Sequence, residues 1–216
     1  MSAPSARDDA LRVAIVSTAR AMNTLGVNRG RSGNVSARCG HVFVVTPSAL
    51  PYDRMTPQDL VAMTLDGAIA EGARAPSTEW PFHRDIYRAR PDVAAIVHTH
   101  APFATTLACL DRGIPAFHYM VAAAGGRDIR CARYATFGTD ELACNVVEAL
   151  ADRKACLLAH HGMIAVGASL EAALALAVEV EALAEMYWRA LQVGEPRLLS
   201  NDEMDRVLAK YATYGR

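Results

Sequence analysis

A short apolar run that ends in two histidines constrains the fold of this chain more than any other feature. Residues 93–97 (Val-Ala-Ala-Ile-Val) lead directly into His98-Thr99-His100. A run of this length after a proline-containing break is typical of a buried strand. Because side chains alternate between the two faces of a strand, His98 and His100 are expected to point to the same side. Two adjacent buried imidazoles are hard to satisfy without a shared partner, and a metal ion is the partner that suits them.

A second apolar run also ends in histidine. Residues 156–159 (Cys-Leu-Leu-Ala) are followed by His160-His161-Gly162, which is a typical position for functional residues at a strand-to-loop junction. Alternation allows only one of these two histidines to face the same site as the first pair. The spacing does not decide which one. Either choice would bring a third imidazole to the metal.

The stretch Pro76-Ser77-Thr78-Glu79 is the third part of the predicted site. Ser77 or Thr78 is predicted to cap a helix that begins near Glu79. Because a helix N-terminus attracts anions, Ser77 and Thr78 could bind a phosphate while Glu79 faces the metal. The alternative is that Glu79 only complements the helix dipole.

A glycine-rich segment at residues 28–36 contains Arg31, Gly33 and Asn34 and lies between the first helix and the first strands. Its spacing matches neither the P-loop nor the dinucleotide-binding motif, so these two nucleotide motifs are excluded. Exposed backbone N–H groups beside hydroxyl and amide donors can still form an anion-binding nest. An ordinary turn is the alternative interpretation.

The remaining periodicities predict a mixture of helices and strands in a single domain spanning residues 1–216. An early hairpin that turns at Asp66-Gly67 indicates a sheet that is not purely parallel. The predicted strands lie at 41–46 and in the hairpin 60–70, and the predicted helices at 8–25, 102–110, 139–152, 169–191 and 202–211.

Charge and cysteine content restrict the partners. A net charge of −1 argues against a nucleic-acid or anionic-membrane surface. The five cysteines are odd in number and form no C-x-x-C pair, which predicts reduced thiols rather than a disulfide framework. No stretch reaches the roughly 18 apolar residues of a spanning helix. We therefore expect a cytoplasmic protein with a small-molecule partner and with neither a nucleic-acid nor a membrane partner.

Together these motifs resemble the class II, metal-dependent sugar-phosphate aldolases and epimerases, the superfamily of L-fuculose-1-phosphate aldolase and L-ribulose-5-phosphate 4-epimerase. The resemblance covers nearly the whole chain and is nearer to the aldolases. The stretches that carry it are 33–36, 46–48, 76–80, 98–100, 114–126, 134–139 and 160–162.

The resemblance implies an α/β fold with three α/β/α layers and a central mixed, mostly antiparallel sheet. It also implies a C4-symmetric homotetramer with its active site at a subunit boundary. The implied metal is Zn²⁺, or another divalent ion such as Mn²⁺ or Co²⁺, and the implied ligands are His98, His100, His161 and Glu79. Glu79 would leave the metal when substrate binds and would then act as the acid/base. The only two lysines lie outside every motif, as a metal-dependent aldolase permits.

The implied reaction is reversible cleavage of a ketose 1-phosphate to dihydroxyacetone phosphate and an aldehyde. The substrate would be L-fuculose 1-phosphate or a 5-deoxy- or 5-methylthio-pentulose 1-phosphate. Tyr119 from a neighbouring subunit would serve the aldehyde oxygen. Phe137 and Tyr214 would shape that side of the pocket, and the implied phosphate-binding residues are Arg31, Gly33, Asn34, Ser48, Ser77 and Thr78.

Two positions depart from the L-fuculose-1-phosphate aldolase pattern. Arg31 replaces a small hydroxyl residue, and Ala49 replaces a glycine; both positions adjoin the implied phosphate site. An arginine could replace a neutral hydrogen bond to phosphate by a charge-assisted one, so the preferred sugar could change. Three alternatives remain open: a methylthioribulose-1-phosphate dehydratase, a pentulose-phosphate 4-epimerase and a non-catalytic, adducin-like module.

Overall fold

The computed structural model describes residues 6–213, and within them eight strands form one sheet in the order β4-β3-β2-β1-β5-β8-β7-β6. The strands are β1 (Asn34–Cys39), β2 (Val42–Val45), β3 (Val61–Thr64), β4 (Ile69–Glu71), β5 (Ala95–Thr99), β6 (Arg130–Ala132), β7 (Ala155–Leu158) and β8 (Gly162–Gly167). All neighbouring pairs are antiparallel except β6 and β7. The prediction of a mixed, mostly antiparallel sheet is confirmed.

Helices cover both faces of the sheet and complete three layers. They are α1 (Ala6–Thr24), α2 (Trp80–Ala89), α3 (Pro102–Ala108), α4 (Asp140–Ala149), α5 (Leu170–Val193) and α6 (Asn201–Tyr211). One buried apolar cluster joins α1, α3 and α5 to one face of the sheet. A second cluster joins α2 and α4 to the other face. None of the helices among residues 6–213 is long and apolar enough to cross a membrane.

The predicted helix ranges agree with the observed ones to within three residues. Part of this accuracy comes from capping residues that can be recognised in the sequence. The hydroxyl of Ser169 accepts a hydrogen bond from the N–H of Ala172 at the start of α5. The hydroxyl of Thr139 accepts one from the N–H of Leu142 at the start of α4.

The strands differ from prediction in three places. No strand was predicted at β1, so Asn34, which was expected in a loop, is instead the first residue of a strand. No strand was predicted at β6 or β8 either. The central residues of β8, 163–166, are all buried, so this strand lacks the alternation that marks a half-exposed one.

The strand order brings the candidate residues to one end of the sheet. β1 and β8 are the two neighbours of β5, and both run antiparallel to it. In these pairings His98 lies opposite Asn34 on one side and opposite Ile164 on the other. The end of β5 therefore meets the start of β1 and the turn that precedes β8.

Candidate metal centre and active site

Three imidazoles converge at the end of β5. The ring centroids of His98 and His100 are 5.1 Å apart, and His161 lies 4.9 Å from the first ring and 5.0 Å from the second. One nitrogen from each ring lies within 4.8 Å of the others. This spacing allows a single ion to bind all three.

The turn between β7 and β8 separates the two consecutive histidines. His160 has a φ of 53° and its ring is half exposed, with Nε2 3.7 Å from a carboxylate oxygen of Asp111. His161 Nε2 instead lies 2.8 Å from Glu79 Oε1. The structure therefore places His161, and not His160, beside the other two imidazoles.

Glu79 lies next to these rings at the start of α2. It occupies the N-cap position itself, so the prediction that Ser77 or Thr78 is the N-cap is wrong. Ser77 Oγ nevertheless accepts a hydrogen bond from the N–H of Glu79 at 3.3 Å. The Glu79 carboxylate is buried, and its Oε2 lies 3.2 Å from His98 Nε2.

The electrostatics favour an ionised carboxylate at Glu79 and a neutral imidazole at His100. Burial alone would raise the pKa of Glu79, but the close approach of His98 and His161 to its carboxylate holds this pKa well below its usual range. Burial, followed by the neighbouring His98 and His161, lowers the pKa of His100 to about 4. At neutral pH His100 therefore offers a nitrogen lone pair rather than a positive charge.

The unsatisfied atoms of the cluster fit a divalent ion. Glu79 Oε1, His98 Nε2 and His100 Nε2 are all buried, and none has a hydrogen-bond partner among residues 6–213. His98 Nδ1 lies 2.9 Å from the carbonyl oxygen of Met163, which can only accept. Nδ1 must then carry the proton, so Nε2 carries a lone pair directed at the cluster. Three imidazoles and one carboxylate are a donor set that Zn²⁺ prefers.

Gly162 allows the β7–β8 turn to approach β5. A Cβ atom at this position would overlap the carbonyl oxygen of Thr99 and would reach His100 Cδ2 at 3.0 Å. We expect Gly162→Ala to lower the free energy of unfolding by about 1–3 kcal/mol and to weaken metal binding, because His100 must move. Thermal unfolding and elemental analysis measure the two effects.

Gly194→Ala is the matched control, since a Cβ atom there meets nothing within 4 Å. Its effect should stay within about 0.5 kcal/mol. A Gly162→Ala protein with the Tm and the metal content of the wild type would contradict the tight approach.

The candidate phosphate-binding segments are held together by backbone hydrogen bonds. Residues 46–48 pair with residues 75–77 through Ser48 N to Ala75 O and Ser77 N to Thr46 O, each at 3.0 Å. Gly33 packs directly against the carbonyl oxygen of His98 and accepts a hydrogen bond from the buried Tyr52 hydroxyl. The structure thus holds Gly33 against His98 and joins Ser48 to the segment that leads through Ser77 to Glu79.

A cleft of about 280 Å³ opens onto this cluster. Its lining residues are Ser32, Thr78, Glu79, His100, Tyr134, Ala135, Phe137, His160 and His161. Sequence reasoning named Thr78 and Phe137 for the site but did not assign Ser32 or Tyr134 to it. The hydroxyl of Ser32, next to the glycine that contacts His98, was a signal that could have been used.

Three of the candidate residues lie outside the cleft or have other partners. Arg31 lies outside the cleft, and its guanidinium donates to the carbonyl oxygen of Ala49 at 2.8 Å. Tyr119 is half exposed and also lies outside the cleft of its own chain. Asn34 donates its amide N–H to Glu79 Oε2 at 2.8 Å. Tyr214 lies outside the described residues.

A family model described as "Class II Aldolase and Adducin N-terminal domain" matches residues 13–188. This chain belongs to the class II aldolase and adducin family. The resemblance found in the sequence motifs is therefore confirmed.

The similar proteins are named as aldolases. A 5-methylthioribulose-1-phosphate/5-deoxyribulose-1-phosphate aldolase of Rhodospirillum rubrum is 58% identical over 206 residues, which cover 95% of this chain and 93% of that protein. An L-fuculose phosphate aldolase of Escherichia coli K12 is 48% identical, covering 93% of this chain and 94% of that protein. A solved structure of an L-fuculose 1-phosphate aldolase matches with a TM-score of 0.92 at 36% identity, covering 97% of this chain and 98% of that one.

Proposed function

We propose that this class II aldolase is a metal-dependent aldehyde-lyase that cleaves a ketose 1-phosphate reversibly to dihydroxyacetone phosphate and an aldehyde. The observation that carries the proposal is the convergence of His98, His100 and His161 on the buried Glu79 carboxylate. A divalent ion held there, Zn²⁺ or in its place Mn²⁺ or Co²⁺, would supply Lewis-acid stabilisation of negative charge at the substrate carbonyl.

The proposed proton transfers use two residues of the chain. When the C3–C4 bond of the ketose breaks, its electrons stay on C3, the C4 hydroxyl loses its proton to become the aldehyde, and C3 gains a proton. We assign the proton at C3 to Glu79, the buried carboxylate that lines the cleft. We assign the proton of the C4 hydroxyl to Tyr119 of a neighbouring copy, because Tyr119 is exposed and does not reach the cleft of its own chain.

The position of the proposed phosphate site favours a 1-phosphate. Ser77 and Thr78 immediately precede Glu79, and Ser48 is tied to the same segment by the hydrogen bond to Ala75. With Gly33, Asn34 and Arg31 nearby, these residues would hold a phosphate within a few bonds of the reacting carbon. Phe137, which lines the cleft, and Tyr214 would contact the aldehyde end.

The names of the relatives support the range of substrates. One relative is named for 5-methylthioribulose and 5-deoxyribulose 1-phosphates, and another for L-fuculose phosphate. We propose the same set for this chain, namely L-fuculose 1-phosphate and the 5-deoxy- and 5-methylthio-pentulose 1-phosphates. These sugars share the phosphate-bearing end and differ in the aldehyde released.

An assay for the shared product tests this proposal. The metal-loaded protein is incubated with each ketose 1-phosphate, dihydroxyacetone phosphate is measured with NADH and glycerol-3-phosphate dehydrogenase, and the aldehyde is identified by mass and NMR. We expect dihydroxyacetone phosphate from at least one of these sugars. Loss of water or epimerisation without this product would identify a dehydratase or a 4-epimerase instead. Absence of any turnover would favour a non-catalytic, adducin-like module.

We also propose that the active unit is a homotetramer whose active sites lie at subunit boundaries. If the proposed role of Tyr119 is right, Tyr119→Phe should lower kcat on the order of a hundred-fold, because the aldehyde oxygen loses its proton partner. Its metal content and its molar mass in light scattering should stay those of the wild type.

Tyr211→Phe is the matched control for this experiment. It removes a phenolic hydroxyl from α6, on the groove that Tyr119 also lines, and should keep the wild-type kcat. A fully active monomer, or a Tyr119→Phe protein with wild-type turnover, would contradict the assignment. We further propose a single domain over residues 1–216 and a cytoplasmic location. The odd number of cysteines, with no C-x-x-C pair, supports the cytoplasmic location.

A further inference from the structure

A buried chain of hydrogen bonds extends from Glu79 away from the histidine cluster. Asn34 Nδ2 lies 2.8 Å from Glu79 Oε2, and Asn34 Oδ1 lies 2.6 Å from His83 Nε2. His83 Nδ1 lies 2.7 Å from Ser36 Oγ, which in turn lies 2.8 Å from the Tyr87 hydroxyl. His83 and Ser36 are completely buried, so no solvent competes for these bonds.

Two regular periodicities bring these side chains together. Asn34 and Ser36 are two residues apart on β1 and therefore project from the same face of the strand. His83 and Tyr87 are four residues apart on α2, where such pairs share one side of a helix. These four side chains thus form a polar contact between this face of β1 and this side of α2.

The direction of every hydrogen bond follows from the Glu79 carboxylate. An ionised carboxylate only accepts, so the NH₂ group of Asn34 must face Glu79 and Oδ1 must face His83. His83 Nε2 then carries a proton and donates it to Oδ1. His83 Nδ1 is therefore an acceptor for the Ser36 hydroxyl, and the Ser36 oxygen accepts from Tyr87. All the donors point towards Glu79, an arrangement in which the bonds strengthen one another.

The charge state of His83 is consistent with this order. Burial, followed by the neighbouring His98, lowers the pKa of His83 to about 3, although the Glu79 charge acts in the opposite direction. A neutral imidazole has one N–H group and one acceptor nitrogen, as the chain requires. The chain also explains why a histidine outside the group that could hold the ion is fully buried.

We propose that His83 is a positioning residue for the reaction, because its Nε2–H group fixes the orientation of the Asn34 amide and thereby the orientation of the Glu79 carboxylate. An unrestrained amide can rotate by half a turn and present its oxygen to the carboxylate, which would repel it. This inference rests on the proposed function, in which Glu79 transfers the proton at C3. It concerns kcat rather than substrate binding, since His83 does not line the cleft.

Two substitutions at this position separate the roles. His83→Leu removes the N–H group, whereas His83→Gln keeps an amide N–H that can donate to Asn34 Oδ1. For both proteins we would measure kcat, KM, metal content and the exchange of hydrogen between dihydroxyacetone phosphate and deuterated water without aldehyde. This exchange reports the proton transfer by Glu79 alone. His83→Leu should lower kcat and the exchange rate about ten- to a hundred-fold with little change in KM, and His83→Gln should restore most of the loss.

Two controls accompany these proteins. Tyr87→Phe removes only the far end of the chain and should reduce the exchange rate much less than His83→Leu. Thr105→Val removes a buried hydroxyl that has no hydrogen-bond partner among residues 6–213, from a helix on the opposite face of the sheet, and should leave the kinetics unchanged. If His83 only supports the fold, both of its variants should lose Tm alike while the folded protein keeps the wild-type exchange rate, and the inference is then wrong.

The outcome for the proposed function can be read separately. Absence of exchange in the wild type contradicts the aldolase assignment, whereas an exchange rate in His83→Leu equal to that of the wild type contradicts the positioning role alone.

A second measurement does not depend on activity or on the folding of His83→Leu. The wild type and His83→Gln are both labelled with ¹⁵N-histidine, and the resonances present only in the wild type belong to His83. These resonances should show a proton on Nε2 and none on Nδ1. A proton on Nδ1 would overturn the inference.

Discussion

Replacing His161 with Ala is expected to remove the divalent ion from the protein and to lower kcat/KM by more than about a thousand-fold, because a Lewis acid contributes several kcal/mol to such a reaction. His161 Nε2 lies beside Glu79 Oε1 and faces the same point as the other two imidazoles. Only two imidazoles would remain for the ion, and in the proposed mechanism the Glu79 carboxylate leaves the metal when substrate binds, so the ion should be held much less tightly. Elemental analysis of the purified protein and the assay for dihydroxyacetone phosphate measure the two losses.

His160→Ala is the matched control for this prediction. It removes an imidazole from the neighbouring residue, but this ring points to Asp111 and contacts Tyr134 rather than the cluster. The His160→Ala protein should keep about one ion per chain, as three imidazoles suffice for Zn²⁺. Equal metal content in the two variants would contradict the ligand assignment, as would activity in the wild type that survives chelation.

Most of the helices and several of the strands could be predicted because they carry local signals, whereas the three-layer arrangement was implied only by the family resemblance. The long helices α1 and α5 have apolar residues at helical spacing, and the hairpin of β3 and β4 turns at a sequence typical of tight turns. The order of the strands could not be predicted from local signals. β5 lies between β1 and β8, and these pairings connect residues far apart in the chain, which no local pattern reports.

The strands that were missed differ in the signals they carry. β8 is buried on both faces, and its apolar run at 163–166 is as typical of a buried strand as residues 93–97, but it follows directly from the histidine turn and was not assigned. β6 has only three residues and is held by a parallel pairing with β7. The glycine-rich appearance of residues 28–33 concealed the start of β1 at Asn34.

The metal cluster was easier to predict than its surroundings. His98 and His100 share one side of β5 by simple alternation, and the structure places both at the cluster. The choice between His160 and His161 depends on a turn with a positive φ at His160, so strand alternation does not apply to it. The hydrogen bonds that link Glu79 to His83 depend on two spacings. Asn34 and Ser36 are two residues apart on β1, and His83 and Tyr87 are four residues apart on α2. Each spacing is visible in the sequence, but the contact between the two pairs depends on the packing of α2 against the sheet.

Glu79→Gln is expected to separate metal binding from catalysis. The amide has nearly the same shape as the carboxylate, and the three imidazoles remain, so the protein should retain most of its metal, although the ion is held less tightly. The amide cannot exchange a proton with C3, so kcat should fall about 10²- to 10⁴-fold while KM changes little. The exchange of hydrogen between dihydroxyacetone phosphate and deuterated water should fall by the same factor.

Glu148→Gln, on the exposed surface beside Arg133, is the matched control and should behave as the wild type. If Glu79→Gln keeps the wild-type exchange rate with its metal bound, another group transfers this proton and Glu79 is only a metal ligand.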